Sequence, residues 1–214
     1  MHHGKRVENL KRTLNRVAQI TQSMDLDQSG INIRFLNYTK DDSGDFDNMT
    51  DLKAISRQVN DVFQEKRKGS KLGGKLEEKI IDPFVKKRIQ NHDFKKPIIV
   101  LLITDGEPHE EKGALKQVIK NCKRFLVEKG YGNSSVVFLL SQVGTDKLAT
   151  EFLKSIEKDE DICHMVYCSP SRLDDMIHKT QEYSSDDEYT AKLPSKIKPS
   201  WLIQQCGRML LKVN

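Results

Sequence analysis

The segment Lys96-Pro97-Ile98-Ile99-Val100-Leu101-Leu102-Ile103-Thr104-Asp105-Gly106-Glu107-Pro108 decides how the rest of the chain is read. An unbroken apolar run rich in β-branched residues, stopped by an Asp-Gly turn, predicts a strand buried on both faces. Such a strand is central in a parallel sheet. Its carboxyl end delivers Thr104 and Asp105 to the crevice where open α/β sheets place their ligands. A hard carboxylate oxygen beside a hydroxyl suits a divalent cation such as Mg²⁺. Plain turn chemistry competes with that reading, because Asp-Gly opens a turn and caps the next helix with no ligand present.

Composition bounds the answer. A chain of 214 residues makes one domain and can bury a sizeable core. Lys and Arg number 36 against 31 Asp and Glu, a net charge of +5. So small a surplus describes a solvated surface rather than a nucleic-acid footprint. No run is long and apolar enough to span a membrane, and Met1-His2-His3-Gly4-Lys5 leads into a helical pattern instead of a signal core. The expectation is therefore an intracellular, cytoplasmic protein. Cys122, Cys163, Cys168 and Cys206 lie in or beside apolar patterns, without zinc-finger spacing, and read as reduced packing residues.

Along the chain helix and strand alternate. Val7, Leu10, Leu14, Val17, Ala18 and Ile20 share one helical face over residues 5–24. After a turn at Asp27-Gln28-Ser29-Gly30, Ile31, Ile33 and Phe35 alternate with Asn32 and Arg34 as a strand. A polar loop over residues 38–48 follows, and Thr50 reads as the N-cap of a helix reaching Phe63. Beyond a basic, glycine-bearing loop, Leu76, Ile80 and Ile81 mark a helix that Pro83 should kink or restart. After the central strand, Ala114, Leu115, Val118, Ile119, Cys122 and residues 125–127 give a helix stopping at Gly130. Residues 136–140 form a continuous apolar strand, Leu148, Phe152 and Ile156 stripe the next helix, and residues 164–168 make a short last strand. Strands separated by helices predict right-handed βαβ crossovers and a parallel sheet covered on both faces. From Ser169 the pattern weakens into a polar connection over residues 169–199, and residues 200–214 form a final helix with Trp201, Leu202, Met209 and Leu210 on one face.

Ile98 through Pro108, preceded by Gly69-Ser70-Lys71-Leu72-Gly73-Gly74-Lys75-Leu76 and followed by Val137-Phe138-Leu139-Leu140-Ser141-Gln142-Val143-Gly144, resembles the von Willebrand factor type A domain. Arg6-Val7-Glu8-Asn9-Leu10 and Gly30-Ile31-Asn32-Ile33-Arg34-Phe35-Leu36-Asn37 resemble its intracellular fungal branch. The likeness covers residues 5–168. It implies a doubly wound α/β fold, its mostly parallel sheet carrying helices on both faces. It also implies a metal-ion-dependent adhesion site at the top of that sheet, where a D-x-S-x-S motif, a loop Thr and an Asp from a T-D-G segment surround Mg²⁺.

Carried over by residue, the resemblance puts Asp105 at the T-D-G aspartate and Ser70 where the loop Thr stands, with Thr104, Gly106 and Lys71 as neighbours. A serine hydroxyl can still bind a cation or its water. Lys71 departs from the family's proline, and its ammonium opposes a metal while favouring an acidic partner. The D-x-S-x-S motif and the first, central strand that carries it are absent, so the sequence is expected to be a truncated piece with an incomplete site. Asp41-Asp42-Ser43-Gly44-Asp45 imitates the motif but follows the wrong strand and lacks the Glu that closes a calcium loop.

The expectation that follows is a non-enzymatic module recognising a protein partner through an acidic side chain, with Mg²⁺ weakly held or absent. No nucleic acid or membrane is implied. One alternative is a nucleotide- or phosphate-binding protein, or an enzyme, using Gly69-Ser70-Lys71-Leu72-Gly73-Gly74-Lys75, which fits G-x-x-x-x-G-K. Leu76 stands where that motif needs Ser or Thr, and no apolar strand feeds Gly69. Another is a degenerate domain kept as a scaffold. His92, His109, His164 and His178 stand apart, and no G-x-S-x-G occurs.

Overall fold

Alternating side chains of a parallel strand pair must find cover on two faces, and the three described strands do so unequally. The computed structural model describes residues 8, 10–12, 14, 30–36, 46–51, 54, 57, 71–104 and 113–169. Within them β1 (Ile98–Thr104), β2 (Val136–Gln142) and β3 (Val166–Cys168) form a parallel sheet in the order β1-β2-β3. The class is α/β. All seven residues of β2 are buried, and among the described strands β2 rather than β1 is the central one.

That is a correction to the expected placing of residues 98–103. Only Val100 of β1 is buried, Ile99 is 50% exposed, and β1 is an edge strand among the described residues. Apolar content reports how much a strand can bury; it does not say which strands flank it. Val136, Phe138 and Leu140 share a cluster with Ile98, Val100 and Leu102. Val137, Leu139, Ser141 and Val143 are buried as well, so β2 is out of water on both faces. Ile103 joins a second, smaller cluster with Leu10, Ile33, Phe46 and Met49.

The main face is covered first by a continuous helical stretch, α1 (Leu72–Leu76), a π-helical segment (Glu77–Lys86) and α2 (Lys87–Gln90). Its buried apolar positions are Leu72 and Leu76, then Ile81, Val85 and Ile89. The step from 76 to 81 is five residues, and i→i+5 closure keeps both on one face, where an α-turn would rotate the second away. Pro83 sits inside the π segment, so the helix passes through it without the expected restart. The widened turn eases the clash of its ring with the preceding carbonyls.

The helix α3 (Ala114–Glu128) buries Leu115, Val118, Ile119, Cys122 and Leu126, the expected stripe. It ends in a Schellman arrangement: Gly130 at φ 79, its N–H donating to the Val127 carbonyl and that of Tyr131 to the Leu126 carbonyl. The helix α4 (Lys147–Glu157) buries Ala149, Leu153 and Ile156, whereas Leu148 is 56% exposed. Of the expected stripe Ile156 is fully buried and Phe152 packs half-buried against the main cluster, while Leu148 falls outside it and Ala149 and Leu153 complete the buried face.

Residues 31–35 are a second correction. Their alternation is real, with Ile33 buried and Asn32 exposed, but they join no parallel ladder. Ile31 makes an antiparallel bridge with Met49, and the Ile33 N–H donates to the Phe46 carbonyl at 2.9 Å. Gly30 at φ 68 permits the close approach, since a Cβ there would lie 2.6 Å from the Asn48 carbonyl carbon. A partner close in sequence costs little loop-closure entropy. The helical state of residues 8, 10–12, 14, 54 and 57 agrees with the expected helices. The connection after Ser169 and the final helix lie outside the described residues.

Candidate functional site

In a βαβ unit the helix after a strand starts at the strand's carboxyl end. Thr104 closes β1 there, and its carbonyl accepts from the Val143 N–H at 2.9 Å, joining the ends of β1 and β2. Gly113 and Ala114 begin α3 on the same side. Gly73 fixes α1 against them: a Cβ on Gly73 would stand 2.8 Å from the Leu115 nitrogen and 2.9 Å from the Ala114 carbonyl carbon. Lys71, exposed at the N-cap of α1, therefore shares the carboxyl end of the sheet with Thr104.

Asp105, Ser70 and Gly106 lie outside the described residues. Thr104 and Lys71, their neighbours in sequence, are described, and the structure brings both to one end of the sheet. Asp146, in the turn between β2 and α4, is committed to its helix, accepting from the Ala149 N–H at 2.9 Å. Among the described residues no group of three or more His, Cys, Asp or Glu is placed to hold a metal ion. They make no coordination shell by themselves.

Sequence reading missed the polar framework beside the site. Gln142 is buried; its Nε2 donates to the Asp146 carbonyl at 2.6 Å and its Oε1 accepts from Thr150 Oγ1 at 2.8 Å. These bonds fix the β2–α4 turn. Ser141 is buried next to it, and its hydroxyl has no hydrogen-bond partner. Both residues continue an apolar strand past Leu140, and that continuation was the available signal.

The glycine-rich stretch turns out to be structural over its described part. Leu72, Gly73, Gly74 and Lys75 are helical, and Lys75 Nζ is 2.7 Å from Glu78 Oε2 and 2.9 Å from Oε1. A lysine engaged by its own helix is poorly placed to reach a phosphate. Other lysines are paired too. Lys86 lies 2.9 Å from Glu77 and 2.8 Å from Asp82, and its pKa is raised chiefly by the hydrogen bond to Asp82. Lys120 sits 3.2 Å from Asp159 and 2.8 Å from Asp161, tying α3 to the turn before β3. Its hydrogen bond to Asp161 raises the lysine and lowers the carboxyl.

The cysteines separate by environment. Burial pushes the Cys122 and Cys168 thiols up to about 12, and Cys168 Sγ lies 3.3 Å from the Leu153 carbonyl. Neither is poised as a nucleophile, which requires a lowered pKa. Cys163 is exposed on a turn, contrary to its expected packing role. His92 is exposed at φ 58, and burial lowers the His164 pKa, with the nearby Lys123 charge adding to it. His109, His178, Cys206 and residues 41–45 lie outside the described residues. None of the described helices is long and apolar enough to cross a membrane. Comparison with family models, with curated proteins and with solved structures finds no match to this chain.

Proposed function

We propose that the protein is a non-enzymatic, protein-binding module of von Willebrand A type with an incomplete metal-ion-dependent adhesion site. The observation that carries the reading is the position of Thr104, at the carboxyl end of an apolar parallel strand and on the same side as Lys71. Asp105 follows the first in sequence and Ser70 precedes the second, and on this reading these two residues would act from that end of the sheet. A doubly wound sheet is the fold that goes with this reading, and the burial of β2 on both faces supports it.

Asp105 and Ser70 would hold the ion, which would offer an open position to an acidic side chain of the partner. Lys71 supplies a second attraction for that acid, and a repulsion for the cation. Mg²⁺ requires six oxygens and releases its waters reluctantly, so two protein ligands should leave it mostly hydrated. Affinity should be about millimolar or weaker, roughly −4 kcal/mol. The phosphate-loop alternative is less well supported, because Lys75 is held by Glu78 and Gly73 serves helix packing.

Calorimetric titration of the chain and its Asp105→Ala variant with Mg²⁺ and Mn²⁺ tests the proposal. Weak binding that the substitution removes is the expected outcome. Micromolar binding abolished by the substitution would mean that further residues complete the site, and binding indifferent to Asp105 would place the ion elsewhere.

A further inference from the structure

Paired residues of a parallel ladder turn to the same face of the sheet, and side chains alternate faces along each strand. Phe138 and Leu140 pack in the main cluster, so Ser141 points to the other face, where its register partner Ile103 joins the smaller cluster. Val137 and Leu139 precede it on that face, both buried and both apolar. Ser141 is itself only 1% exposed, and its hydroxyl has no hydrogen-bond partner among the described residues. An apolar side chain would fill the position without that cost, because a buried hydroxyl that has given up water for no partner works against folding. Such an atom in a folded protein points to an ion, a water or a chemical role.

The polar groups beside it are spent on structure. Gln142 bonds to the Asp146 carbonyl and to Thr150, and Asp146 caps α4. Chain length limits what the Ser141 oxygen can meet. Its Cα stands about 5 Å across the sheet from that of Ile103. Asp105 is two residues beyond Ile103, at about 3.8 Å per residue, so its Cα lies within roughly 12 Å of that of Ser141 whatever its conformation. Oxygens from a serine and an aspartate so placed can meet at one ion, directly or through one of its waters.

We propose that the Ser141 hydroxyl is a further oxygen ligand of the cation held through Asp105, a role that rests on the metal-site reading above. A hydroxyl is a hard, neutral donor suited to Mg²⁺ or Mn²⁺. It adds no charge to offset Lys71, so the ion stays weakly held. Its contribution is preorganisation: β2 is buried along its length and fixes the residue, and no hydrogen bond to a described residue has to break before the oxygen binds.

Titration of the full chain with Mn²⁺ and Cd²⁺, beside its Ser141→Ala, Ser141→Cys and Asp105→Ala variants, tests the role. Ser141→Ala should weaken Mn²⁺ binding about threefold or more, and the metal-free variant should melt no lower than the parent, since the lost hydroxyl had no partner. Ser141→Cys should also weaken Mn²⁺ but bind Cd²⁺ about tenfold more tightly than the parent, whose own thiols set the background, because sulfur at a ligand position favours a soft ion. A merely structural serine gives no such reversal. Unchanged Mn²⁺ affinity in Ser141→Ala, no gain of Cd²⁺ in Ser141→Cys, or a lower melting temperature of metal-free Ser141→Ala would each overturn the proposal, the last by showing that the hydroxyl is already bonded. Binding lost in Asp105→Ala but kept in Ser141→Ala removes Ser141 and leaves the site; a parent that binds no Mn²⁺ at millimolar concentration removes both.

Discussion

His164 illustrates how much a single position depends on context that its sequence neighbours conceal. Its Nε2 is buried with no hydrogen-bond partner, so a proton added there would put charge where no acceptor waits. Burial first, and the charge of Lys123 second, lower its pKa from the ordinary 6.5. The unfolded chain, at the ordinary value, binds more protons as pH falls below 6.5. The contribution of neutral His164 to stability is therefore complete above pH 6.5 and is lost as pH falls through the folded midpoint. Proton NMR should show a His164 midpoint below the ordinary one, and thermal melts of His164→Gln should lose less stability between neutral and mildly acid pH than the parent. An identical pH dependence would show that the ring is hydrated in solution. The sequence displayed His164 only as one of several scattered histidines, and neither Lys123 nor the buried ring edge was legible beside it.

At the scale of elements, legibility followed the strength of local signals. Residues 136–140 were readable as a strand because five apolar positions run without a polar interruption before Ser141. The α3 stripe and its stop at Gly130 were readable because helical spacing and a left-handed cap are both local. The π segment was not. Five-residue spacing between Leu76 and Ile81 resembles a break in a pattern, and Pro83 encouraged that reading. The adjacent glycines of α1 looked like a loop in the sequence but have different structural surroundings. A Cβ at Gly73 meets α3 backbone at 2.8 Å, whereas nothing lies within 4 Å of one at Gly74. Gly73→Ala should thus destabilise by ~1–3 kcal/mol through overpacking, against its helix-propensity gain. Gly74→Ala should stabilise by ~0.4–1 kcal/mol. Denaturant unfolding of both variants checks this contrast, and equal effects would refute the close α1–α3 contact.

At the scale of the whole molecule, strand order was the least legible feature. Ile98–Thr104 has the composition of a central strand, yet the described sheet places it at an edge, with Ile103 reaching a second cluster built from distant parts of the chain. Neighbours in a sheet are decided by long-range packing, which no run of residues encodes alone. The candidate site was legible only in its position: Thr104 and Lys71 stand at one end of the sheet, while Asp105 and Ser70 rest on the family likeness. The central claim is that a weakly held cation sits where Asp105 follows β1. Paramagnetic broadening by Mn²⁺ tests it most directly. At millimolar Mn²⁺ the amide signals of Thr104 and Val143, whose backbones meet at 2.9 Å, should broaden before those of the rest of the sheet, and Asp105→Ala should abolish the effect. Broadening that spares these amides, or that survives the substitution, would contradict the account.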